Sequence, residues 1–273
     1  MSDANLNPRK QRFRSVSIYW LLPNMLTIGG FVSGLTALRF ALDGRWAGVI
    51  VLIALAAVFD ALDGRAARKF QTVSAFGAAL DSLSDLVVFG VVPALSLYLW
   101  ALQDYGNLAW GATLFYAVSI ALRLARFDSE LPNPPVYAKN YFTGIPAPAA
   151  AFLVLVPICL DLELNLPWVR DAVYVSGWLI LIGVGAVTAL PTFAGKRVKL
   201  PVGSVLPILA VVGLLGAGIV TQPWITYLAL ATVYILSLPM AAVKFQQDRR
   251  SYQATGATDD VDMYADEIGR AHV

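Results

Sequence analysis

The chain has 273 residues, of which 58% are hydrophobic and only 14% charged, and its mean hydropathy is +0.66. Soluble domains run to about 45–50% apolar and roughly 25% charged residues, so these proportions describe a polytopic membrane protein and exclude a water-soluble globular one. A net charge of +2 is too small to point to nucleic acid, the single Cys159 excludes an intrachain disulfide, and the single His272 leaves chemistry to carboxylates, hydroxyls and cations.

Residues 1–17 are polar and carry Arg9, Lys10, Arg12 and Arg14 ahead of the first apolar run, as expected of a cytoplasmic tail. That run is not followed by a small-residue cleavage site and reads as a retained span. A spanning helix needs about 20 mostly apolar residues. On that ruler eight spans are expected, at 21–42, 46–69, 76–101, 107–127, 144–162, 171–193, 203–221 and 224–244. The transmembrane region is expected to cover 18–245, and the acidic segment 246–273 to form a disordered cytoplasmic tail.

Basic residues alternate along this order. Arg65, Arg68 and Lys69 follow span two; Arg123, Arg126 and Lys139 follow span four; Lys196, Arg197 and Lys199 follow span six; Lys244, Arg249 and Arg250 follow span eight. The intervening connections are poor in Lys and Arg, with Arg39 and Arg45 at the first turn as the exception. Both termini and the basic loops are therefore expected on the cytoplasmic side of the inner membrane.

The segment from Asp60 to Asp85 stands out. Asp60 and Asp63 are three residues apart and Asp81 and Asp85 four apart, so each pair shares one face of a helix. Between them lie Gly64, Arg65, Arg68, Lys69, Ser74 and Gly77. Charges at membrane depth are costly and read as a functional site facing an interior cavity. Four carboxylates can hold two hard divalent cations such as Mg2+ or Mn2+, an arrangement suited to substitution at phosphorus. Glycines remove side chains where a nucleotide or pyrophosphate meets backbone. A carboxylate at the edge of such a site can accept a proton from an attacking hydroxyl. A structural cation site, helix caps, and an ion or proton translocation site are the competing readings; spans five to eight hold almost no ionisable residues, which speaks against a transporter.

The pattern Asp60-x-x-Asp63-Gly64-x-x-Ala67-Arg68, eight residues, Gly77-x-x-x-Asp81-x-x-x-Asp85 resembles the signature of the CDP-alcohol phosphotransferase family at every fixed position. The resemblance implies an all-α membrane protein with a six-helix core, here joined by two C-terminal helices, arranged around a polar cavity and working as a homodimer. It implies attack of an alcohol on a CDP-linked phosphorus with departure of CMP. It further implies Asp60, Asp63 and Asp81 as ligands of a metal pair and Asp85 as a second-metal ligand and general base. Gly64, Arg68, Ser74 and Gly77, with Asn24 and Thr27 from the start of span one, are implied as contacts to CDP-diacylglycerol; Asn24 and Thr27 also suit plain helix capping.

Arg123-Leu-Ala-Arg126-Phe and Tyr141-Phe142-Thr-Gly144-Ile-Pro-Ala-Pro resemble the membrane-embedded phosphatidylserine synthase subfamily, as do eight spans. Asp128 and Ile145 depart from its usual Asn and Leu. Arg123, Arg126, Phe142 and Gly144 are thereby the expected acceptor site, with CDP-diacylglycerol and L-serine as substrates among membrane lipids. Serine carries a carboxylate that a guanidinium fork can hold. The same two arginines also suit headgroup anchoring, glycerol 3-phosphate and inositol phosphate would use cations too, and Tyr137, Tyr141 and Phe142 keep choline open.

Overall fold

The computed structural model describes residues 18–70, 74–129, 141–188, 190–193 and 205–254. Helix α1 (Ile18–Leu42) turns at Gly44 into α2 (Trp46–Phe70), and the two pack intimately along their length. Small residues set that closeness. A β-carbon on Gly48 would lie 2.2 Å from the Phe40 ring, and one on Gly34 would lie 2.6 Å from Val88 of the following helix.

Helix α3 covers 75–102 and is not uniform: Ala75–Asp85 is α-helical, Leu86–Val91 is a π-turn, Val92–Leu97 is α-helical, and Tyr98–Leu102 is again π. The first π-turn begins immediately after Asp85. Wider turns loosen the regular backbone ladder, and at membrane depth every freed carbonyl needs a donor. The buried Tyr116 hydroxyl supplies one, donating to the Phe89 carbonyl at 2.9 Å. Gly106, at φ 70°, then reverses the chain into α4 (Gly106–Ser129), which packs back along α3. The continuous helical stretch 75–129 thus accounts for two of the expected spans.

Helix α5 (Ala147–Leu164) breaks at Leu155, just before Pro157. Proline lacks the N–H that would reach the Leu153 carbonyl. The Trp178 indole donates to that carbonyl instead at 2.9 Å, and the Tyr227 hydroxyl donates to the Phe152 carbonyl. A short 3-10 turn at Pro167–Arg170 leads to α6 (Ala172–Val187), whose first N–H groups are capped by Asp171. Strands β1 (Tyr141–Thr143) and β2 (Pro191–Phe193) form an antiparallel pair with Phe142 opposite Thr192. Helices α7 (Val205–Thr221) and α8 (Pro223–Ala254) complete the order.

The architecture is the expected all-α membrane fold. Among the described residues, five helical stretches are long and apolar enough to cross a bilayer, 21–42, 46–70, 75–129, 147–164 and 223–252, and α6 and α7 are shorter apolar helices. The spans differ from expectation at two ends. Helix α6 stops at Val187, not 193, because Pro191 opens β2 and biases the residue before it to extended backbone. Helix α8 runs to Ala254, past the expected boundaries at 244 and 245, through a stretch free of glycine and proline. Its 32 residues span about 48 Å, well beyond a hydrocarbon core of about 30 Å. The protruding end is tied down: Tyr141 donates to Asp248 at 2.6 Å and stacks edge-on against Phe245. Burial and the Asp248 carboxylate push the Tyr141 phenol up to about 12.

Candidate active site

The end of α2, the start of α3 and the first turns of α1 form an open cleft. Asn24, Thr27, Asp63, Gly64, Arg68, Ser74, Gly77 and Asp81 line it, together with Pro23, Ala67 and Ala78. Every expected CDP-diacylglycerol contact is thereby brought to one place.

Local chemistry explains the arrangement. Ser74 is the N-cap of α3, and its hydroxyl accepts the Gly77 N–H at 3.0 Å. Capping is thus one role of Ser74, and it leaves the positive end of the helix dipole beside the cleft, where an anion is favoured. Gly77 leaves little room for anything larger: a β-carbon there would stand 3.1 Å from Asn24 Oδ1 and 3.2 Å from Ser74 Oγ. Gly64 is different. A β-carbon there would meet only Arg68, at 3.7 Å, so no protein packing demands glycine and the free space belongs to the cleft.

Carboxylate oxygens of Asp60, Asp63 and Asp81 lie within 4.8 Å of one another. Asp63 is only 4% exposed. Thr27 shares its hydroxyl proton between Asp63 Oδ2, at 2.7 Å, and the Pro23 carbonyl, at 3.1 Å. Oδ1 of Asp81 is buried and has no hydrogen-bond partner among the described residues. Three converging carboxylates with an unmatched buried oxygen form a donor set of hard oxygens, the chemistry that divalent cations of the Mg2+ and Mn2+ kind require. The acidic group can bind a metal.

Asp85 is placed differently. It stands outside the three-carboxylate group and borders a small adjoining pocket with Asp60, Ser84, Thr27 and Gly30. The Arg123 guanidinium is near enough for its charge to act on Asp85, and near enough to act on Tyr234 of α8.

The expected acceptor residues divide. Arg123 is half-buried, with its charge acting on Asp85 and Tyr234. Arg126 is exposed and donates through Nη1 to the Val187 carbonyl at 2.8 Å, covering the C-terminus of α6. The backbone of Phe142 pairs with Thr192. Gly144, at φ 77°, donates its N–H to the Leu190 carbonyl, and a β-carbon on it would come within 2.5 Å of the Ala186 carbonyl oxygen. Thr192 donates to the Gly144 carbonyl at 3.0 Å.

Two contacts were not anticipated from the residues. Thr27 serves Asp63 directly, a long-range pairing across 36 residues with no local signal. Ser82 donates to Asp128 at 2.8 Å and so brings the end of α4 beside Asp81; the adjacency of Ser82 to Asp81 was the only hint available.

Comparison with known proteins gives the family. Residues 20–189 match the CDP-alcohol phosphatidyltransferase family, and residues 204–239 match CDP-alcohol phosphatidyltransferase 2. The chain is 34% identical over 236 residues to the CDP-diacylglycerol–serine O-phosphatidyltransferase of Mycobacterium tuberculosis H37Rv, covering 86% of this chain and 81% of that protein. The enzyme of the same name from Helicobacter pylori J99 is 32% identical over 182 residues, 66% of this chain and 75% of its own length. That of Methanocaldococcus jannaschii is 46% identical over 109 residues, 40% of this chain and 48% of its own length. The chain belongs to the CDP-alcohol phosphatidyltransferase family, whose matched region contains the whole acidic cleft.

Proposed function

We propose that this protein transfers the phosphatidyl group of CDP-diacylglycerol to the hydroxyl of L-serine, forming phosphatidylserine and CMP. The observation that carries this reading is the three-carboxylate group, of which Asp63 and Asp81 line a cleft together with Arg68 and the N-terminus of α3. The names of the relatives, over most of the chain, support serine as the acceptor.

In this reading Asp60, Asp63, Asp81 and Asp85 would hold two divalent cations, Mg2+ or Mn2+. When bound, such ions orient the pyrophosphate and offset charge on the departing phosphate. Asn24, Gly64, Ser74 and Gly77 give the nucleotide a close backbone approach, and Arg68 adds a cation beside its phosphates. The diacylglycerol tails lie in the bilayer. Arg123 receives the serine carboxylate, since it is the half-buried arginine directed at the acidic region. Asp85 accepts the proton of the serine hydroxyl. The serine oxygen forms a bond to the phosphorus that carries diacylglycerol, and the bond from that phosphorus to CMP breaks. The alternating basic loops support a site facing the cytoplasm.

The test is acceptor competition with purified protein. CDP-diacylglycerol and Mn2+ or Mg2+ are supplied with serine, choline, glycerol 3-phosphate or inositol phosphate, and CMP release is read. Release with serine alone is expected. Release with a different alcohol and not with serine would keep the chemistry and refute the acceptor; no release with any of them would refute the transferase reading.

A further inference from the structure

We propose that the π-turn at Leu86–Val91 is a register device that sets where Asp85 stands, and that Tyr116 of α4, which braces the turn, is a positioning residue for the transfer. The inference rests on the reading of Asp85 as the group that takes the proton of the attacking hydroxyl.

Register is the first ground. Asp85 is the last residue of the α-helical segment Ala75–Asp85, and the wide turn starts at the next residue. At its end the Val92 N–H reaches back five residues, to the Val87 carbonyl, where a regular α-helix reaches back four. Such a turn holds one residue more than an α-turn. At about 3.6 residues per turn, one extra residue rotates the helix on one side by about 100° relative to the other. The far side is fixed by burial, since Val92, Ala94, Ser96 and Leu97 are at most 1% exposed. The turn therefore decides the face from which Asp81 and Asp85 leave the helix. An unbroken α-helix that buried the same upper residues would carry both carboxylates around, off the side where Asp60 and Asp63 stand.

The second ground is what holds the turn. The Phe89 carbonyl accepts the Tyr116 hydroxyl at 2.9 Å, across 27 residues, and both residues are at most 1% exposed. Phenylalanine would fill nearly the same space at position 116; what tyrosine adds is a donor for this carbonyl. Packing leaves the turn little slack on either side. A β-carbon on Gly34 of α1 would lie 2.6 Å from Val88, and one on Gly90 would lie 3.3 Å from Ile120 of α4. The turn is thus clamped between α1 and α4 and braced by one hydroxyl.

The third ground is nearness to the chemistry. Val88 and Phe89 of the turn line the same small pocket as Asp85, Asp60 and Thr27. Any change in the width of the turn is felt first at Asp85, which adjoins it, and less at Asp81, one helical turn further away. Single π-turns inside α-helices are frequent at functional sites. Here the use is specific: the extra residue turns an acidic face out of a helix whose other half is locked in the apolar core.

The experiment uses the full chain in lipid nanodiscs with CDP-diacylglycerol, L-serine and Mn2+, reading initial CMP release per molecule that binds CDP-diacylglycerol. Tyr116→Phe keeps the ring and removes the brace. Displacing a catalytic group by about 1 Å costs about a hundredfold, so kcat is expected to fall about tenfold to a hundredfold, with the KM for each substrate within about threefold. In the Asp85→Asn background the same substitution should change the residual rate by less than about twofold, because Tyr116 acts through Asp85. Deletion of the half-buried Val87 removes the extra residue altogether. It should lower turnover at least as far as Asp85→Asn does and raise the Mn2+ midpoint, since Asp81 turns with Asp85. If the deletion variant does not fold, Tyr116→Phe in the two backgrounds decides the matter. An unchanged kcat in Tyr116→Phe would overturn the proposal. So would an equal loss in the Asp85→Asn background, which would make Tyr116 act independently of Asp85, or full turnover by a folded deletion variant. Wild-type protein that releases no CMP, or Asp85→Asn alone that keeps its turnover, would refute the reading of the reaction itself, and both are measured before Tyr116 is changed.

Discussion

Thr27→Val tests how the cleft holds its most buried carboxylate. Valine matches threonine in shape, so the change removes one hydroxyl and little else. Thr27 is 7% exposed and Asp63 4%, so water cannot readily replace the lost donor. A hydrogen bond to a charged group contributes about 1.5–3 kcal/mol, and the donor here stands 2.7 Å from Asp63 Oδ2. At about 1.4 kcal/mol per tenfold, the Mn2+ midpoint should rise roughly tenfold to a hundredfold, the range found when a metal ligand loses its supporting partner. The assay is Mn2+ titration by electron paramagnetic resonance, with CMP release measured in parallel; Thr27→Ser, which retains the hydroxyl, should restore most of the affinity. A Mn2+ midpoint unchanged in Thr27→Val would refute the positioning role. If the KM for CDP-diacylglycerol rose instead, Thr27 would be a nucleotide contact.

Three further substitutions probe the rest of the site. Asp85→Asn should lower CMP release by at least about a thousandfold while CDP-diacylglycerol still binds, measured by lipid-dependent thermal stabilisation; appreciable turnover would remove Asp85 as the proton acceptor. Arg123→Lys should raise the serine KM about tenfold by losing the guanidinium fork, whereas Arg126→Lys should leave that KM within about twofold, and reversed results would exchange their roles. Gly144→Ala forces a β-carbon to within 2.5 Å of the Ala186 carbonyl at positive φ, and should destabilise the protein by about 1–3 kcal/mol. An unaltered melting temperature would show that the β1–β2 junction yields without cost.

The membrane class, the order of apolar helices and the acidic segment were legible in the residues themselves, because each rests on local chemistry. Hydrophobic length is additive along the chain, and aspartates at spacings of three and four share a helix face whatever surrounds them. The pairing of Asp60 with Asp63 followed from that periodicity, and Asp81 joins them because α2 and α3 both pack against α1. Spacing did not separate Asp85 from that group: it is one turn beyond Asp81, and the packing of α1 and α2 against α3 sets it at an adjoining pocket that Asp60 also lines.

Other features depend on residues far apart in sequence. The division between Arg123 and Arg126 is invisible from their three-residue spacing, because it turns on where α6 ends, and that end is set by Pro191 and the β1–β2 pairing. The partners of the carbonyls near Pro157, Trp178 and Tyr227, come from α6 and α8, and the Tyr141–Asp248 contact joins residues 107 positions apart. A proline announces that a carbonyl will lose its donor, but not which side chain will replace it. The same holds for Asp128, which as a residue is one more acid at a helix end; the Ser82 bond ties it to the residue next to Asp81. Composition and helical period determine which groups exist and which face they share, whereas which of them meet is a property of helix packing, because hydrogen bonds and charges act over a few ångströms of space and not along the chain.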